Sequence, residues 1–273
     1  MLPDTTELLL EQSTDTLTIW FNRPESRNAL SRTMADELTA VLEALPQSTD
    51  IRFVILRGKG GTFCAGGDLK MFNALFHDES LSADALRERV VAFNAEFGRT
   101  LEAVSQLPQL FIVLIEGAAM AGGLGLACIA DVALTTADAR YALSEVTLGI
   151  PPAQIAPLVA RRVGLSEARR LLLTAQRFDG REAHRLGFVH GVVDDAAELD
   201  VAAKALIEQA RRAAPGAVHL TKQILAASEH LDGDALVQFA AQRFADGLLG
   251  DEGREGMSAF VEKRPPRWAE TGT

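Results

Sequence analysis

The stretch LFIVLIEGAAMAGGLGLACIA, residues 110–130, decides the fold class. Its first six residues are apolar and predict a buried strand, and the glycines that follow predict a tight turn. Residues 124–130 predict a short helix, and residues 131–135 predict a return to a strand. This order of strand, turn, helix and strand is typical of α/β proteins, so we expect an α/β fold.

The same alternation extends along the chain in both directions. Upstream, the pattern predicts two strands within residues 8–21, a helix over 33–45, a strand over 51–57 and a helix over 82–107. Downstream, it predicts a strand over 140–143, helices over 167–174, 181–186, 198–213, 217–229 and 233–249, and one late strand over 190–193. We therefore expect a mixed core over residues 1–195 and a helical region over residues 196–273.

Composition excludes several classes of function. The 27 basic and 37 acidic side chains give a net charge of −10, which argues against binding to nucleic acid. The only two cysteines, Cys64 and Cys128, predict neither a disulfide framework nor a zinc cluster. The N-terminus lacks the pattern of a secretory signal, and Glu116 and four glycines interrupt the longest apolar tract. We expect a cytoplasmic protein with no membrane or nucleic-acid partner and no metal.

Two glycine-rich turns follow apolar strands, AGGD at residues 65–68 and AGGLG at residues 121–125. Glycine lets the backbone approach a ligand closely, and N–H groups at the start of a helix favour negative charge. Two such groups that converge would form an oxyanion hole. The alternative is that both turns serve only close packing. Neither turn has the sequence of a phosphate loop or a dinucleotide-binding turn.

Glu145 comes at the end of an apolar strand, in the sequence YALSEV. A carboxyl group in apolar surroundings has a raised pKa and can relay protons. The alternative is an ordinary surface or helix-capping glutamate. The five histidines are scattered without ligand spacing, so we assign them no catalytic or metal-binding role.

The order of the motifs carries more information than any one of them. It runs NRPESRNAL (22–30), FCAGGDLK (63–70), the turn ending at Gly125, Glu145 and EGMSAFVEKR (255–264). In this order the motifs resemble the enoyl-CoA hydratase (crotonase) superfamily from about residue 18 to residue 264. The resemblance implies a crotonase-like spiral of repeated ββα units, followed by a C-terminal helical trimerisation region. It also implies a homotrimer or a homohexamer.

The resemblance further implies the parts of an active site. The backbone N–H groups of Gly67 and Gly122 would hold the oxygen of an acyl-CoA thioester, with Glu145 as the catalytic acid and base. CoA is then part of the substrate, and no separate cofactor is expected. The residues implied in binding substrate or CoA are Arg27, Ala29, Ala65, Asp68, Leu69, Lys70, Gly123, Gln154, Phe260 and Lys263.

The basic residues near the C-terminus have two interpretations. Lys263, Arg264 and Arg267 stand out on an acidic chain, and such a cluster suits the 3′-phosphate of CoA. The alternative is a solvated tail. The resemblance implies that Phe260 and Lys263 match family positions whose side chains reach the CoA bound to a neighbouring subunit.

One departure from the family pattern bears on the reaction. Typical hydratases use two glutamates, and Gly125 occupies the position of the first. Asp78, Glu79 and Gln154 are candidates for handling the water, although Asp78 and Glu79 also fit plain loop acids. Glu116 precedes the second glycine turn and is a further candidate.

A second departure bears on the substrate. The sequence LGIPPAQIAP, residues 148–157, replaces the glycine-rich run of straight-chain hydratases. With the residues around Gly123 and Glu145, it looks like a branch that acts on 3-branched substrates of the methylglutaconyl- or isohexenylglutaconyl-CoA type. We therefore expect a hydratase for an α,β-unsaturated acyl-CoA. The alternatives are a Δ3/Δ2 enoyl-CoA isomerase that uses Glu145 alone and a catalytically idle acyl-CoA-binding protein.

Overall fold

The computed structural model describes residues 2–76 and 81–269. The strands are β1 (Leu8–Ser13), β2 (Thr16–Phe21), β3 (Phe53–Gly58), β4 (Leu110–Ile115), β5 (Ala118–Met120), β6 (Val132–Thr136), β7 (Arg140–Ala142), β8 (Phe178–Asp179) and β9 (Gly191–Val193). The helices are α1 (Arg32–Ala44), α2 (Leu69–Phe76), α3 (Ala83–Ser105), α4 (Gly122–Ile129), α5 (Ala156–Thr174), α6 (Gly180–Leu186), α7 (Ala196–Ala210), α8 (Pro215–Ala227), α9 (Gly233–Leu249) and α10 (Asp251–Glu262).

Two sheets organise the chain. The larger has the order β1-β2-β3-β4-β6-β9 and is parallel except for the β1–β2 hairpin. The smaller has the order β5-β7-β8. Two isolated parallel bridges flank the first glycine turn. One joins Gly67 to Leu30, just before α1, and the other joins Cys64 to Ala119 of β5. The first glycine turn is therefore tied to the smaller sheet.

The elements repeat as ββα units. In β4-β5-α4 and again in β6-β7-α5, the first strand joins the larger sheet and the second joins the smaller sheet. The β2 and β3 strands follow the same course, with a single bridge in place of the second strand. This confirms the α/β fold and the repeated ββα units expected from the sequence.

The larger sheet is buried on both faces. Along β3, Val54 and Leu56 belong to the main core, while Phe53 and Ile55 belong to a second cluster with Leu199 and other α7 residues. Such two-sided burial is typical of parallel strands and explains their unbroken apolar runs. Helix α7 thus covers the sheet and begins where the helical region was expected. The division of the chain at residue 195 stays a prediction.

Four elements were missing from the sequence prediction. Strands β5 and β8 have three and two residues, too short to leave a pattern. Helix α2 begins after Asp68, whose carboxylate accepts the Lys70 N–H at 3.0 Å. Helix α10 contains two glycines; at Gly256 an added Cβ would lie 3.0 Å from the Trp268 ring, so the glycine makes room for that ring.

Helix α5 was predicted too short. It begins at Ala156 rather than residue 167, and Gly164, with φ of +80°, interrupts it. That positive φ is readily adopted only by glycine, which explains why the sequence pattern broke there. No helix within residues 2–76 and 81–269 has the length and apolar character needed to cross a bilayer.

Candidate active site

The first glycine turn is held by a parallel bridge to Leu30. The Leu30 N–H donates to the Gly66 carbonyl at 2.8 Å, and the Asp68 N–H donates to the Leu30 carbonyl at 3.0 Å. Because successive residues in an extended chain direct their polar groups to opposite sides, the N–H of Gly67 points away from this bridge. The bridge therefore presents the Gly67 N–H on the opposite side of the turn.

The second glycine turn leads from β5 into α4. Met120 donates its N–H to the Cys64 carbonyl at 2.9 Å, and Ala121 donates to the Ala142 carbonyl at 2.9 Å. Ala121 has a positive φ of +48°, unusual for a residue with a side chain. Gly122 is then the first residue of α4, where backbone N–H groups have no acceptor within their own helix.

The two turns lie against each other. A Cβ on Gly66 would be 3.0 Å from the Cβ of Ala121, and a Cβ on Gly122 would be 3.3 Å from Cδ1 of Leu30. Gly123 packs on Cys64, whose Cβ would be 2.7 Å from an added Cβ. An added side chain would collide with Cys64 at Gly123, would be strained at Gly66, and would be accommodated at Gly122 only by small shifts of Phe97 and Leu30. The structure thus brings the Gly67 and Gly122 loops together.

Glu145 lies at the same edge of the smaller sheet as Gly122. Strands β5 and β7 are parallel neighbours with Met120 opposite Ala142, so both leave the sheet at one end. Gly122 follows Met120 by two residues, and Glu145 follows Ala142 by three. Glu145 begins a 3₁₀ turn, Glu145–Leu148, at this edge. Topology therefore places the three expected catalytic residues at one end of one sheet.

The Glu145 carboxyl group is electrostatically unusual. Its Oε2 atom is buried and has no hydrogen-bond partner among the described residues. Burial raises the pKa of this carboxyl group above its ordinary value. A carboxyl group with a raised pKa and an uncommitted oxygen is suited to exchange a proton with a bound molecule.

Helix α3 forms a wall beside the second turn. The Phe97 ring would lie 3.2 Å from a Cβ on Gly122. At Gly125 an added Cβ would overlap the Cγ2 methyl of Ile155 and approach Leu101. The position at which typical hydratases have their first glutamate is therefore filled by the buried Ile155 side chain.

Gln154 packs against α3 next to this wall. Its Nε2 donates to Oδ1 of Asn94 at 2.8 Å, and its Oε1 would be only 2.5 Å from a Cβ on Gly98. Neither Asn94 nor Phe97 was predicted from the sequence as a site residue. The available signal was their spacing with Gly98 and Leu101 on one face of α3, which combines polar, small and apolar residues in place of a uniform apolar stripe.

The loop before α1 is anchored by a buried side chain. Asn28 is fully buried, and its Nδ2 donates to the carbonyls of Lys59 and Thr62 at 2.9 and 2.6 Å. The neighbouring Arg27 side chain is exposed, while its carbonyl accepts the N–H of Ala65 at 3.0 Å. This contact joins two of the segments expected to bind CoA.

Arg23 braces the same two segments and was not among the expected site residues. Its guanidinium donates to the Ala29 carbonyl at 2.7 Å and contacts the carboxylates of Asp68 and Glu7 at 3.3 and 3.2 Å. Asp68 is thus engaged within the protein. Leu69 and Lys70, the next residues along the chain, are exposed at the start of α2.

The basic C-terminal cluster is partly neutralised. Arg264 and Arg267 contact the Glu255 carboxylate at 2.7 and 3.6 Å, and these contacts lower the pKa of Glu255 to about 2. Lys263 ends α10 with a left-handed backbone conformation, and the Phe260 side chain is 81% exposed. Only Lys263 of this cluster has no ion pair within the described parts of the chain.

Glu116 is directed away from the glycine turns. Its carboxylate accepts a hydrogen bond from Arg57 at 3.0 Å, and Arg57 also pairs with Asp200 of α7. The Glu116 carboxylate is thus engaged by Arg57, and this contact gives no support to the suggestion that Glu116 handles water. Asp78 and Glu79 lie outside the described residues.

Comparison with known proteins now gives the family. A family model described as enoyl-CoA hydratase/isomerase matches residues 11–271, nearly the whole chain. The chain belongs to the enoyl-CoA hydratase/isomerase family. The resemblance inferred from the ordered motifs is therefore confirmed.

Individual relatives agree with this membership. The solved structure of Pseudomonas aeruginosa AtuE is 49% identical, with a TM-score of 0.91 over 97% of this chain and 100% of that chain. Enoyl-CoA hydratase ACTT6 of Alternaria alternata is 32% identical over 91% of this chain and 79% of its own length. The mouse mitochondrial methylglutaconyl-CoA hydratase is 29% identical over 95% of this chain and 81% of its own length. The fold is crotonase-like, and the family is one of hydratases and isomerases acting on enoyl-CoA thioesters.

Proposed function

We propose that this family member is a hydratase that adds water to an α,β-unsaturated acyl-CoA. The observation that carries the proposal is the buried, unpartnered carboxyl oxygen of Glu145 at the sheet edge where the two glycine turns meet. In the proposed site, the N–H groups of Gly67 and Gly122 bind the thioester oxygen. Negative charge develops on that oxygen only as the enolate forms, so preorganised donors lower the barrier.

A single carboxyl group can balance the protons of this reaction. Water adds its oxygen to the β-carbon and loses one proton, and the α-carbon gains one proton as the double bond is consumed. Glu145 accepts the first and donates the second, so its protonation state is restored after each turnover. Its raised pKa brings the carboxyl group closer to neutral pH, where both transfers are favourable.

We further propose a 3-branched substrate of the methylglutaconyl- or isohexenylglutaconyl-CoA type. Three features support it. Gly125 replaces the first glutamate of typical hydratases, and the Ile155 side chain fills the space beside it. The other two are the loop sequence of residues 148–157 and the similarity to methylglutaconyl-CoA hydratase. The CoA moiety is assigned to Arg27, Ala29, Ala65, Asp68, Leu69, Lys70, Gly123, Phe260 and Lys263, with Gln154 beside the acyl chain.

A panel of linear and 3-branched enoyl-CoA thioesters, with product mass as readout, tests the reaction. Hydration adds the mass of one water, and we expect it for the branched members. Gly125, at the position of the first glutamate of typical hydratases, favours an isomerase as the second candidate, since isomerisation needs only one carboxyl group. An unchanged product mass with a moved double bond would establish it. Thioester binding without any conversion, unaffected by Glu145→Ala, would indicate an idle binding protein.

We also propose that the chain assembles as a homotrimer or homohexamer in the cytoplasm. The helices that follow residue 195 expose large apolar side chains that solvent alone would not favour. Light scattering on the purified protein should give three or six times 29.3 kDa; a monomer at micromolar concentration would contradict the assembly. The exposed apolar side chains beyond residue 195 are Val201, Leu225, Val237, Phe244, Leu248, Leu249, Met257, Phe260 and Val261.

A further inference from the structure

Two side-chain amides meet beside the proposed acyl site. Gln154 lies in the loop after the Glu145 turn, and Asn94 lies on the face of α3 that carries Phe97. The Gln154 Nε2 donates to Asn94 Oδ1 at 2.8 Å. The amide reaches this position because Gly98 has no side chain; a Cβ there would lie 2.5 Å from Gln154 Oε1.

The hydrogen bond between the amides fixes what the pair can still offer. A primary amide has two N–H donors and one carbonyl acceptor. Gln154 uses one donor on Asn94, and Asn94 uses its acceptor. Within the described residues, the Asn94 amino group and the second N–H of Gln154 remain as donors, and the one remaining acceptor, Gln154 Oε1, lies against Gly98. The pair therefore suits a hydrogen-bond acceptor, and neither amide is basic enough to take a proton from water.

The location of the pair fits the far end of a short acyl chain. Asn94 precedes Phe97 by three residues, which is about 4.5 Å along a helix axis. Phe97 contacts the site of Gly122, where the thioester oxygen is proposed to bind. In an extended five-carbon acyl chain the first and last carbons are about 5 Å apart, given bonds of about 1.5 Å. The spacing of Asn94 and Phe97 therefore matches the length of a five-carbon acyl chain that begins at the thioester.

We infer that Asn94 and Gln154 form a subsite for a carboxylate at the distal end of the acyl chain. This inference rests on the proposed function, because it takes the thioester to bind at the two glycine turns. The two amide N–H groups donate to the carboxylate oxygens, while the apolar Phe97 and Ile155 side chains contact the carbon chain. The subsite selects a dicarboxylic over a monocarboxylic acyl group.

Binding of saturated thioesters tests the subsite without any need for turnover. Glutaryl-CoA carries the distal carboxylate, and valeryl-CoA has the same chain length without it. Calorimetry gives the ratio of the two dissociation constants for each protein. We expect Asn94→Leu and Gln154→Leu each to shift this ratio about 10-fold against glutaryl-CoA, the effect of losing one hydrogen bond to a charged group. Gln106→Leu, at the exposed C-terminal end of α3, is the matched control and should leave the ratio unchanged.

Gly98→Ala provides a third variant, which keeps both amides. Its new methyl group displaces only the flexible end of Gln154, so the fold should tolerate it while the ratio shifts in the same direction, about 3-fold or more. Ratios within 2-fold of wild type in all three variants, or equal losses for both thioesters, would overturn the subsite. A failure of the proposed hydration would appear separately, as wild-type protein that binds glutaryl-CoA selectively yet converts no enoyl-CoA.

Discussion

Two regions of the site are built in different ways. One is the junction of the two glycine turns, and the other is the wall, the packed side chains of α3 and of residues 145–155. The junction is held by main-chain hydrogen bonds, and a Cβ added at Gly66 or Gly123 would press on backbone or Cβ atoms. The wall is made of side chains, and Ile155 and Gln154 occupy space left by Gly125 and Gly98. Under the proposed function, the thioester oxygen is held by backbone geometry at the junction, while the acyl group is recognised by side chains that can be exchanged without changing that geometry.

The largest expected effect falls on Glu145, whose buried carboxyl oxygen has no hydrogen-bond partner among the described residues. Glu145→Gln keeps the shape but removes the titratable proton, so kcat should fall by about 10²–10⁴-fold while thioester affinity changes little. Steady-state kinetics and calorimetry measure the two quantities. Glu43→Gln, on the exposed face of α1, is the control. Equal kcat for wild type and Glu145→Gln would remove Glu145 from the mechanism.

The next effect isolates a main-chain donor. Gly122→Pro deletes the proposed N–H, whereas Gly122→Ala keeps it and adds a Cβ 3.2 Å from the Phe97 ring. We expect kcat of the proline variant to lie about 10²–10³-fold below that of the alanine variant, provided circular dichroism shows both folded. If the two variants turn over at the same rate, the Gly122 N–H does not stabilise the enolate.

A third change tests how tightly the wall is packed. Gly125→Ala should lower the free energy of unfolding by about 1–3 kcal/mol, because the new Cβ overlaps Ile155. In an Ile155→Ala background the same substitution should be neutral or stabilising, since the methyl group is gone and alanine favours the helix. Thermal unfolding of wild type, the two single variants and the double variant gives the interaction energy between the two positions. Additive effects would mean that Ile155 does not fill the position of the absent glutamate.

The smallest expected effect concerns pH and stability. Burial raises the pKa of Glu145 in the folded chain, so the folded state holds its proton more tightly than the unfolded state. Stability is therefore lost as pH rises from the unfolded pKa through the folded one, and it changes no further above that. The Glu145→Gln variant has no such proton, so its stability does not fall across this pH window. The Tm of the variant relative to wild type should therefore rise with pH, by about 2–4 °C for each kcal/mol of unfolding free energy that wild type loses. A Tm difference that is independent of pH between 4 and 8 would contradict the raised pKa.

Much of the fold was predictable because parallel strands buried on both faces leave unbroken apolar runs, as in β3 and β4. The junction was predictable from the ordered motifs around Gly67, Gly122 and Glu145. The wall was not predictable, because Asn94 contacts Gln154, a residue sixty positions away in sequence, and no local pattern indicates that contact. Arg23 was missed for the same reason, as its partner Asp68 belongs to another loop.

The direction of a side chain was also beyond the sequence. Glu116 precedes the second turn by only a few residues, yet its carboxylate is paired with Arg57 on the side of the sheet covered by α7. Alternation along a strand predicts opposite faces but does not say which face carries the site. Only the sheet topology decides this.

The most direct test of the central claim is a crystal structure with a bound saturated acyl-CoA such as glutaryl-CoA. We expect one thioester oxygen about 2.7–3.1 Å from both the Gly67 and Gly122 nitrogens, with the Glu145 carboxyl group beside the α-carbon. A thioester oxygen bound by neither nitrogen, or a Glu145 side chain turned away from the α-carbon, would contradict it.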